Sequence, residues 1–342
     1  MILPMRDLRQ ALKGYDFVKT VCSSEHKDLI TFTVNEGECD IVAPNIELSY
    51  VVDTERYDSP INLEDFTINT LKKIKEDNPI TVTNHSITIG SKFINHDGVA
   101  EPPKLHSDEG FELLGTFNGL EVLNAIKSVK HAIGKDIHRQ GLLHICWKNN
   151  EMVAVDGYRV AMAGITTTIS EEVLLTNVAW KFLEKFIDKK GKDLVRILRK
   201  DDEIQIIYGD WMLFTKAPKL EFLKYESLFS NDAEIMFKVN RKELVERIEF
   251  VSTKANVPMK LTLDDALTMS INGINEVTES MQVDWISKKP LEIAFNPKYV
   301  LEALKSSNDE VICIAMNSSL TPMIITFSTG KELVLPIRIN ND

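Results

Sequence analysis

The densest group of chemically active side chains in this sequence is the Asp-Gly-Tyr-Arg run at 156–159, inside AVDGYRVAMA. A carboxylate, a phenol and a guanidinium this close together can form a catalytic turn, hold a ligand, or only kink a strand. His144, His96 and Asp97 are the other groups from which an acid–base site can be drawn. The chain has no GxSxG, Walker loop, GxGxxG or HExxH motif. We therefore interpret Asp156-Gly157 as a turn and predict no catalytic residue.

The cysteine pattern gives no sign of a metal or redox centre. Cys22, Cys39, Cys146 and Cys313 are scattered, without a CxxC pair or a histidine at metal-binding spacing. Reduced, buried thiols are the simpler interpretation. The sequence predicts no metal site and no cofactor.

Composition limits the class of protein. A chain of 342 residues with 44% hydrophobic residues can form two or three domains with real cores. The formal charge of −11 argues against coating nucleic acid by charge alone, although a local basic surface stays open. No apolar stretch approaches the roughly 20 residues of a membrane span, and MILPMRDLRQALKG lacks the apolar core of a signal peptide. We expect a cytoplasmic protein without a membrane partner.

A weak internal repeat organises the chain. Three amphipathic segments, starting at Met5, Asn118 and Asn240, have helical spacing of apolar residues, and the two asparagines suit N-caps. A second predicted helix follows each after roughly 55 residues, at Asn62, Thr176 and Asn296. Alternating β-branched runs such as LITFTV, MVAVDGYRVAMAG, PMIITFS and KELVLPIRI lie between and after the helices and predict strands.

The repeat predicts an α+β fold of three domains, each with two helices packed on an antiparallel sheet. The boundaries between domains are expected in two segments rich in turn-forming and charged residues, at 98–110 and 228–234. We place the domains at 1–107, which is divergent, 108–230 and 231–342.

Lysines and arginines are interleaved with glutamates along the faces of all the predicted helices. Two interpretations stay open. The faces are ordinary solvated surfaces with ion pairs, or the helices share one surface that is the basic part of an acidic protein.

Four features of the sequence carry a resemblance to a known family. They are the threefold repeat, VDGYRVA in the middle repeat, FNPKYVLEAL late in the third repeat, and the terminal LVLPIRI. In this order and spacing they resemble the bacterial DNA polymerase III β subunit, the sliding clamp family. The similarity runs over nearly the whole chain and is strongest from Phe111 onward.

The resemblance implies a head-to-tail homodimer that closes into a ring, with helices around a central hole that holds double-stranded DNA. It implies no catalysis. The partners would be the replicative DNA polymerase, a clamp loader and other proteins carrying a clamp-binding peptide, docked in a groove between the middle and last domains. Sliding also requires phosphate contacts that are diffuse and independent of sequence, which fits the acidic overall charge.

Carried over position by position, the resemblance gives the residues of a partner-peptide groove. An apolar trough with a few polar groups suits peptide capture. The groove residues are Leu143, Val155, Gly157, Tyr158, Arg159, Val160, Leu223, Ser227, Leu228, Asn256, Val257, Leu320, Pro322, Leu333, Val334, Leu335, Pro336, Ile337 and Arg338. For 333–337 the alternative is a plain core strand, against which Pro336 argues, since proline belongs at a strand edge or bulge.

Three groove positions depart from the family pattern, which puts the peptide preference in doubt. Tyr158 replaces the usual histidine, Leu223 the groove proline and Asn256 an aromatic residue.

The resemblance also implies a dimer contact and DNA contacts. Lys92 and Phe93 on an edge strand would meet Phe250 and Val251 of the other chain, although one exposed Phe can also be ordinary surface. The DNA candidates are His138, Arg139 and Gln140 from the resemblance, and Lys127, Lys130, Lys181 and Lys185 from charge alone. The alternative function is an acidic interaction scaffold with a clamp fold that does not encircle DNA.

Overall fold

The structure is a computed structural model that describes residues 1–55, 60–83, 85–96, 109–190, 193–229, 233–252, 257–271 and 276–338. The α-helices in these ranges are α1 (Met5–Val21), α2 (Asp65–Leu71), α3 (Gly119–Val129), α4 (Asn177–Phe186), α5 (Arg241–Val251) and α6 (Pro297–Lys305). Each begins within three residues of a predicted start, so the helical periodicity was interpreted correctly.

Side-chain caps fix where the helices begin. The Asn118 side chain accepts hydrogen bonds from the N–H groups of Leu120 and Glu121 at 2.9 and 3.1 Å. Asn240 caps α5 and Asn296 caps α6 in the same way, and Pro297 occupies the first turn of α6. The predicted asparagine N-caps are confirmed.

The strands alternate with the helices along the chain. The first nine are β1 (Ile2–Leu3), β2 (Thr31–Val34), β3 (Glu38–Ala43), β4 (Ile46–Val51), β5 (Ile61–Asn62), β6 (Ile80–Val82), β7 (Ser86–Ile89), β8 (Lys92–Asn95) and β9 (Glu112–Asn118). The next seven are β10 (Ile145–Lys148), β11 (Glu151–Val155), β12 (Arg159–Gly164), β13 (Val173–Leu175), β14 (Leu194–Lys200), β15 (Glu203–Tyr208) and β16 (Trp211–Lys216). The last nine are β17 (Ile235–Asn240), β18 (Met259–Leu263), β19 (Leu267–Ile271), β20 (Val277–Met281), β21 (Asp284–Ser287), β22 (Leu291–Phe295), β23 (Val311–Met316), β24 (Met323–Thr326) and β25 (Gly330–Val334).

The chain forms two compact units. Unit 1 comprises Met1–Val122 and Leu175–Lys219, and unit 2 comprises Leu123–Leu174 and Leu220–Asp342. The predicted domain boundaries at 107/108 and 230/231 lie outside the described residues. The division into three domains therefore stays a prediction, although the order of helix, strands, helix and strands occurs three times.

Unit 1 contains two sheets, in the orders β1-β6-β7-β8 and β5-β2-β3-β4-β16-β15-β14-β9. Their neighbouring strands pair antiparallel, for example Trp211 with Tyr50. Helix α1 lies across β3 and β4, where a Cβ on Gly14 would be only 2.7 Å from the Trp211 ring. Glycine is needed at this point because the helix approaches the sheet so closely.

Unit 2 also contains two sheets, ordered β13-β10-β11-β12-β25-β24-β23-β17-β21 and β20-β19-β18-β22. Two of its tight turns use left-handed residues, as in Asn149 with φ 54° between β10 and β11. Helices α5 and α6 pack together over a core of buried Ile, Leu, Val, Met and Phe side chains. The layering of helices on antiparallel sheets confirms the α+β prediction.

Candidate functional site

The Asp156–Arg159 run is a structured turn between β11 and β12 in unit 2. One Asp156 carboxylate oxygen accepts hydrogen bonds from the N–H groups of Tyr158 and Arg159, at 2.9 and 3.1 Å. Gly157 has a φ of +92°, a left-handed conformation that favours glycine. The carboxylate therefore holds the turn in shape, as the sequence interpretation expected.

Arg159 is a buried cation with carboxylate partners. Its side chain is 5% exposed. The Nε–H donates to Asp156 at 3.0 Å, and Nη1 donates to Glu302 of α6 at 2.5 Å. Nη2 donates to the carbonyl of His131. Charge-assisted bonds in several directions fix the orientation of the guanidinium and fasten α6 to β12.

The Tyr299 ring covers this guanidinium, and Tyr158 stacks on Tyr299. The guanidinium carbon lies 4.6 Å from the ring centroid of Tyr299, and the rings of Tyr158 and Tyr299 stack with centroids 5.8 Å apart. Burial, and then the negative charge of Asp156, raise the pKa of Tyr299. The phenol therefore stays protonated at neutral pH and can donate a hydrogen bond.

An open hollow of about 300 Å³, which we call the Arg159 hollow, adjoins these rings. Its lining is His131, Ile133, Lys135, Asp136, Asp156, Tyr158, Arg159, Lys298, Tyr299 and Glu302. A second ionisable pair lies beside it, since the His131 ring Nε2 is 3.0 Å from the 2% exposed Glu332 carboxylate on β25. Mixed charges around stacked rings suit a polar peptide group better than a wholly apolar one.

Strands β12 and β25 pair across the middle of the large sheet of unit 2. Arg159 lies opposite Val334 and Val160 opposite Leu333, and the Leu335 N–H donates to the Tyr158 carbonyl at 2.9 Å. The VDGYRV and LVLPIR segments, far apart in sequence, are therefore side by side.

The loop before β17 joins the same surface. Phe222 and Tyr225 pack in one cluster with Val155, Val160 and Leu333. The Tyr225 hydroxyl also donates to Glu151 at 2.5 Å, and burial raises the Tyr225 pKa. These contacts hold the segment that carries Leu223 and Leu228 beside β11 and β12.

The predicted groove residues divide into a buried and an accessible set. Val155, Arg159, Val160, Leu333 and Val334 are buried. Leu143, Gly157, Val257, Pro322, Pro336 and Ile337 are half-buried. The accessible set is Tyr158, Leu223, Ser227, Leu228, Leu320, Leu335 and Arg338. Asn256 lies outside the described residues. Four leucines of the predicted groove, Leu223, Leu228, Leu320 and Leu335, are thus exposed, on three of the segments expected to carry it.

Pro336 acts as the sequence suggested. Strand β25 ends at Val334, two residues before it. The chain then continues to Ile337, whose N–H donates to the carbonyl of Ala294 at 2.7 Å. The 333–337 segment is thus not a plain core strand, because its last part leaves the ladder and exposes Leu335.

The dimer candidates lie on an edge strand and on a helix. Lys92 and Phe93 are on β8, at the edge of a sheet in unit 1; Phe93 is 62% exposed and Lys92 pairs with Glu76. On α5 of unit 2, Phe250 is exposed and Val251 is buried in the unit's own core. Only Phe250 of that pair offers surface to another chain.

The DNA candidates fall in both units. In unit 2, Lys127, His138, Arg139 and Gln140 are exposed and Lys130 is half-buried. Arg139 lies against the Gly157 turn, with a guanidinium nitrogen 3.0 Å from where a Cβ would stand. In unit 1, Lys181 and Lys185 are on α4, and burial lowers the pKa of Lys185, whose ammonium lies over Phe17 and Phe186.

In unit 1 several helix-face cations are paired with carboxylates. Lys19 contacts Asp65 at 2.8 Å, and Lys72 contacts Asp16 at 2.6 Å. For these residues the ion-pair interpretation of the helix faces holds.

Two of the groups considered for an acid–base site lie in different units, His144 in unit 2 and His96 in unit 1. Burial lowers the pKa of His144. His96 is buried in unit 1, and Asp97 is outside the described ranges. Across the described part of the chain no cluster of three His, Cys, Asp or Glu side chains could hold a metal ion.

The sequence predictions omitted Tyr299, Glu302 and His131, which complete the Arg159 hollow. The spacing of Tyr299 and Glu302 on α6 was a usable signal, because residues three apart share one helix face. No local signal marked His131, which reaches Arg159 through a backbone carbonyl.

Comparison with known proteins gives this geometry a context. The family model "DNA polymerase III beta subunit, C-terminal domain" matches residues 226–337. The beta sliding clamp of Synechococcus elongatus is 25% identical over 327 residues, covering 86% of each chain. The beta sliding clamp of Chlamydia pneumoniae is 28% identical over 206 residues, 56% of this chain and about half (54%) of that protein. By sequence, the chain is therefore similar to beta sliding clamps over most of its length.

The fold agrees with that of two solved structures over nearly the whole chain. The Bacillus subtilis DNA polymerase sliding clamp superposes with a TM-score of 0.84 at 21% identity, covering 99% of this chain and 98% of that one. The Pseudomonas aeruginosa DNA polymerase III subunit beta gives 0.84 at 18% identity, covering 99% and 100%. At these identities the likeness establishes the fold. No helix in the described ranges is long and apolar enough to cross a membrane.

Proposed function

We propose that this protein is a DNA sliding clamp, a non-catalytic processivity factor of the bacterial replicative polymerase. This proposal rests on a clamp fold over 99% of the chain, together with relatives named beta sliding clamp. Two chains would join head to tail into a ring around duplex DNA. The ring would hold DNA by topology, so a net charge of −11 does not oppose the function. We expect this role in the cytoplasm, with a clamp loader as a partner.

We further propose that the surface around β12 and β25 captures the partner peptides. Leu223, Leu228 and Leu335 offer apolar contact, and Tyr158 offers an aromatic face. The Arg159 hollow beside them would receive polar groups of the peptide. Because Tyr158 replaces the usual histidine and stacks on Tyr299, the peptide preference should differ from that of common clamps.

Topology tests the clamp function. The protein is incubated with nicked circular DNA and a clamp loader and then separated from free protein by gel filtration. We expect it to stay on the circles and to be lost when the DNA is linearised. Equal loss from circles and linear DNA would support the acidic scaffold instead.

The ring requires a dimer. Sedimentation should give a mass near twice 38.8 kDa. We expect Phe93→Asp to lower the mass to that of one chain, since a buried, unpaired carboxylate at an interface is costly. Phe66→Asp, which changes an exposed Phe of α2, is the control. A monomeric wild type at micromolar concentration would contradict the ring.

The groove is tested with a peptide that contains Gln-Leu and Phe. Leu335→Asp should remove binding measured by calorimetry, because it places a charge in the apolar contact. Ile286→Asp alters a comparably exposed side chain on β21 and should bind like wild type. Unchanged affinity in the Leu335 variant would refute this placement of the groove.

A further inference from the structure

A buried pair of ionisable side chains lies behind the Arg159 hollow in unit 2. Glu332 is in the middle of β25, and its side chain is 2% exposed. His131 reaches it from the short helical turn Lys130–Ala132, which follows α3. The His131 ring Nε2 lies 3.0 Å from one carboxylate oxygen of Glu332 and 3.1 Å from the other. The peptide groove proposed above assigns no role to either side chain.

The Glu332 carboxylate depends on the imidazole. One of its oxygens contacts Nε2 in a hydrogen bond, and the other accepts no hydrogen bond from the described residues. A buried carboxylate is costly unless it is paired with a cation. Because a carboxylate only accepts, Nε2 carries a hydrogen in both charge states of the ring, and protonation adds the second hydrogen at Nδ1. Glu332 therefore faces a cation at low pH and a neutral donor at high pH.

The Arg159 guanidinium is within reach of the same carboxylate. Arg159 lies opposite Val334 in the pairing of β12 with β25, and Ala161 lies opposite Glu332. Alternate residues share a face of a sheet, so Arg159 and Glu332 are diagonal neighbours that a long side chain can bridge. His131 links the two, because its carbonyl accepts from Arg159 while its ring contacts Glu332.

The other charged groups around His131 balance one another. Those that line the Arg159 hollow with it are Arg159, Lys135 and Lys298, and the carboxylates Asp156, Asp136 and Glu302. Tyr158 and Tyr299 are the remaining titratable groups of this lining. On its own turn, the half-buried Lys130 is the other charged residue. Three cations face three carboxylates in the lining, so the proton on His131 decides whether Glu332 leaves an uncompensated negative charge behind the hollow.

We propose that His131 is a positioning residue for peptide capture, and that its protonated ring keeps Arg159 in the orientation that the docking surface requires. This proposal rests on the proposed peptide groove and deepens it. With the imidazolium in place, Glu332 is paired and Arg159 stays with its two carboxylate partners under Tyr299. Loss of the proton draws the guanidinium toward Glu332 and removes the support under the stacked tyrosine rings. Peptide affinity should therefore be highest at low pH and fall as pH rises.

The test measures peptide affinity against pH with the full-length protein. The peptide contains Gln-Leu and Phe, has blocked ends and carries no ionisable side chain, so every change of protonation belongs to the protein. Calorimetry at constant ionic strength is done at about pH 5.5 and about pH 8.5, on either side of the range in which histidine titrates. Wild type should bind about 10-fold more tightly at the lower pH, a coupling of ordinary size. By reciprocity, binding near neutral pH should take up protons, measured in two buffers of different ionisation enthalpy.

Two variants separate positioning from a general effect on the fold. His131→Gln keeps a neutral donor, so it should bind weakly at both pH values and take up no proton. His131→Gln/Glu332→Gln also removes the anion that attracts Arg159, so it should regain the tight binding at both pH values. His85→Gln, which changes an exposed histidine of unit 1, is the control and should keep the wild-type profile. Thermal melts at both pH values confirm that all the proteins are folded.

Three outcomes overturn the positioning role and leave the groove intact. They are a wild-type affinity that does not change with pH, a pH dependence that survives in His131→Gln, and a double variant as weak as the single one. If wild type does not bind the peptide at either pH, the proposed groove fails and the positioning role fails with it. Retention on circular DNA would still support the clamp function in that case.

Discussion

The two units differ in how a buried charged side chain is stabilised. In unit 1, Asp40 is fully buried and accepts hydrogen bonds from the Ser49 hydroxyl at 2.6 Å and from the Asn35 amide. Burial raises its pKa. In unit 2, Arg159 is nearly as buried but is held by two carboxylates at the edge of an open hollow.

This difference distinguishes a buried charge that only stabilises the fold from one that belongs to a candidate site. Asp40 is satisfied by neutral neighbours inside a core and faces no open space. Arg159 is fixed with its aromatic cover beside a hollow and next to exposed leucines. Burial of a charged group therefore does not mark function by itself, and a fixed charge at an accessible edge is the better candidate for a site.

The largest effect is expected at Arg159. Arg159→Ala leaves Asp156 and Glu302 without their cation and should lower the free energy of unfolding by about 3 kcal/mol. It should also weaken the Gln-Leu/Phe peptide about 30-fold, the loss typical of a 2 kcal/mol contact. Denaturation and calorimetry measure the two effects.

Arg159→Lys is the matched variant. It keeps the charge, but a single ammonium cannot reach both carboxylates and the His131 carbonyl as the guanidinium does. We expect its free energy of unfolding to lie between those of wild type and Arg159→Ala. Wild-type stability and affinity in the alanine variant would mean that the Arg159 cluster resembles an ordinary surface pair.

Asp40 should give a smaller effect that depends on pH. Asp40→Asn turns an amide NH2 group toward one of the two hydrogen-bond donors, Ser49 or Asn35. It should lower the free energy of unfolding by about 1 to 2 kcal/mol at pH 4. The wild-type pKa is raised in the folded state, so wild type itself loses stability as pH rises above about 3.8. The cost of the substitution should therefore shrink toward pH 7. A cost that grows with pH would refute the assignment.

Asp65 should show the opposite pH trend. Hydrogen bonds from Lys19 and then Tyr15 lower its pKa, so its contribution is present above pH 3.8 and is lost as pH falls further. Because this pair is largely exposed, Asp65→Asn should cost only about 0.5 kcal/mol at pH 7 and nothing at pH 2. Melting curves at both pH values provide the measurement.

The smallest difference between the two units is expected in the chemical labelling of their buried thiols. Burial raises the pKa of Cys146 to about 12, and burial also raises that of Cys39. Neither thiol should react with iodoacetamide at pH 8 in the folded protein, since the thiolate is the nucleophile. Mass spectrometry should show both labelled in urea. Labelling of Cys39 alone in the folded protein would mean that the core of unit 1 opens more readily than that of unit 2.

Local patterns predicted most of the fold. Caps and periodicity identified every α-helix of the described residues, and KELVLPIRI was interpreted as a strand with its proline at an edge or bulge. Helix length was less predictable. The segment from Asn62 suggested four turns, yet α2 covers only Asp65–Leu71, because the lysine-rich continuation has few apolar residues to bury.

The site was predictable only in part. The resemblance brought together Tyr158, Arg159 and Leu335. It did not indicate that Glu302, 143 positions from Arg159, completes its ion pairing. The spacing of Tyr299 and Glu302 indicates that they share one face of α6, but tertiary packing decides that this face meets Arg159.

The pairing of β12 with β25 has a consequence for synthesis. Residues 159–163 pair with β11 on one side and with residues 330–334 on the other, so a nascent chain cannot complete this part of the sheet until almost all of it has left the ribosome. A prematurely terminated product lacks β25 and leaves that edge of β12 unpaired. Because an unpaired strand edge is a template for pairing with another chain, incomplete products are expected to aggregate.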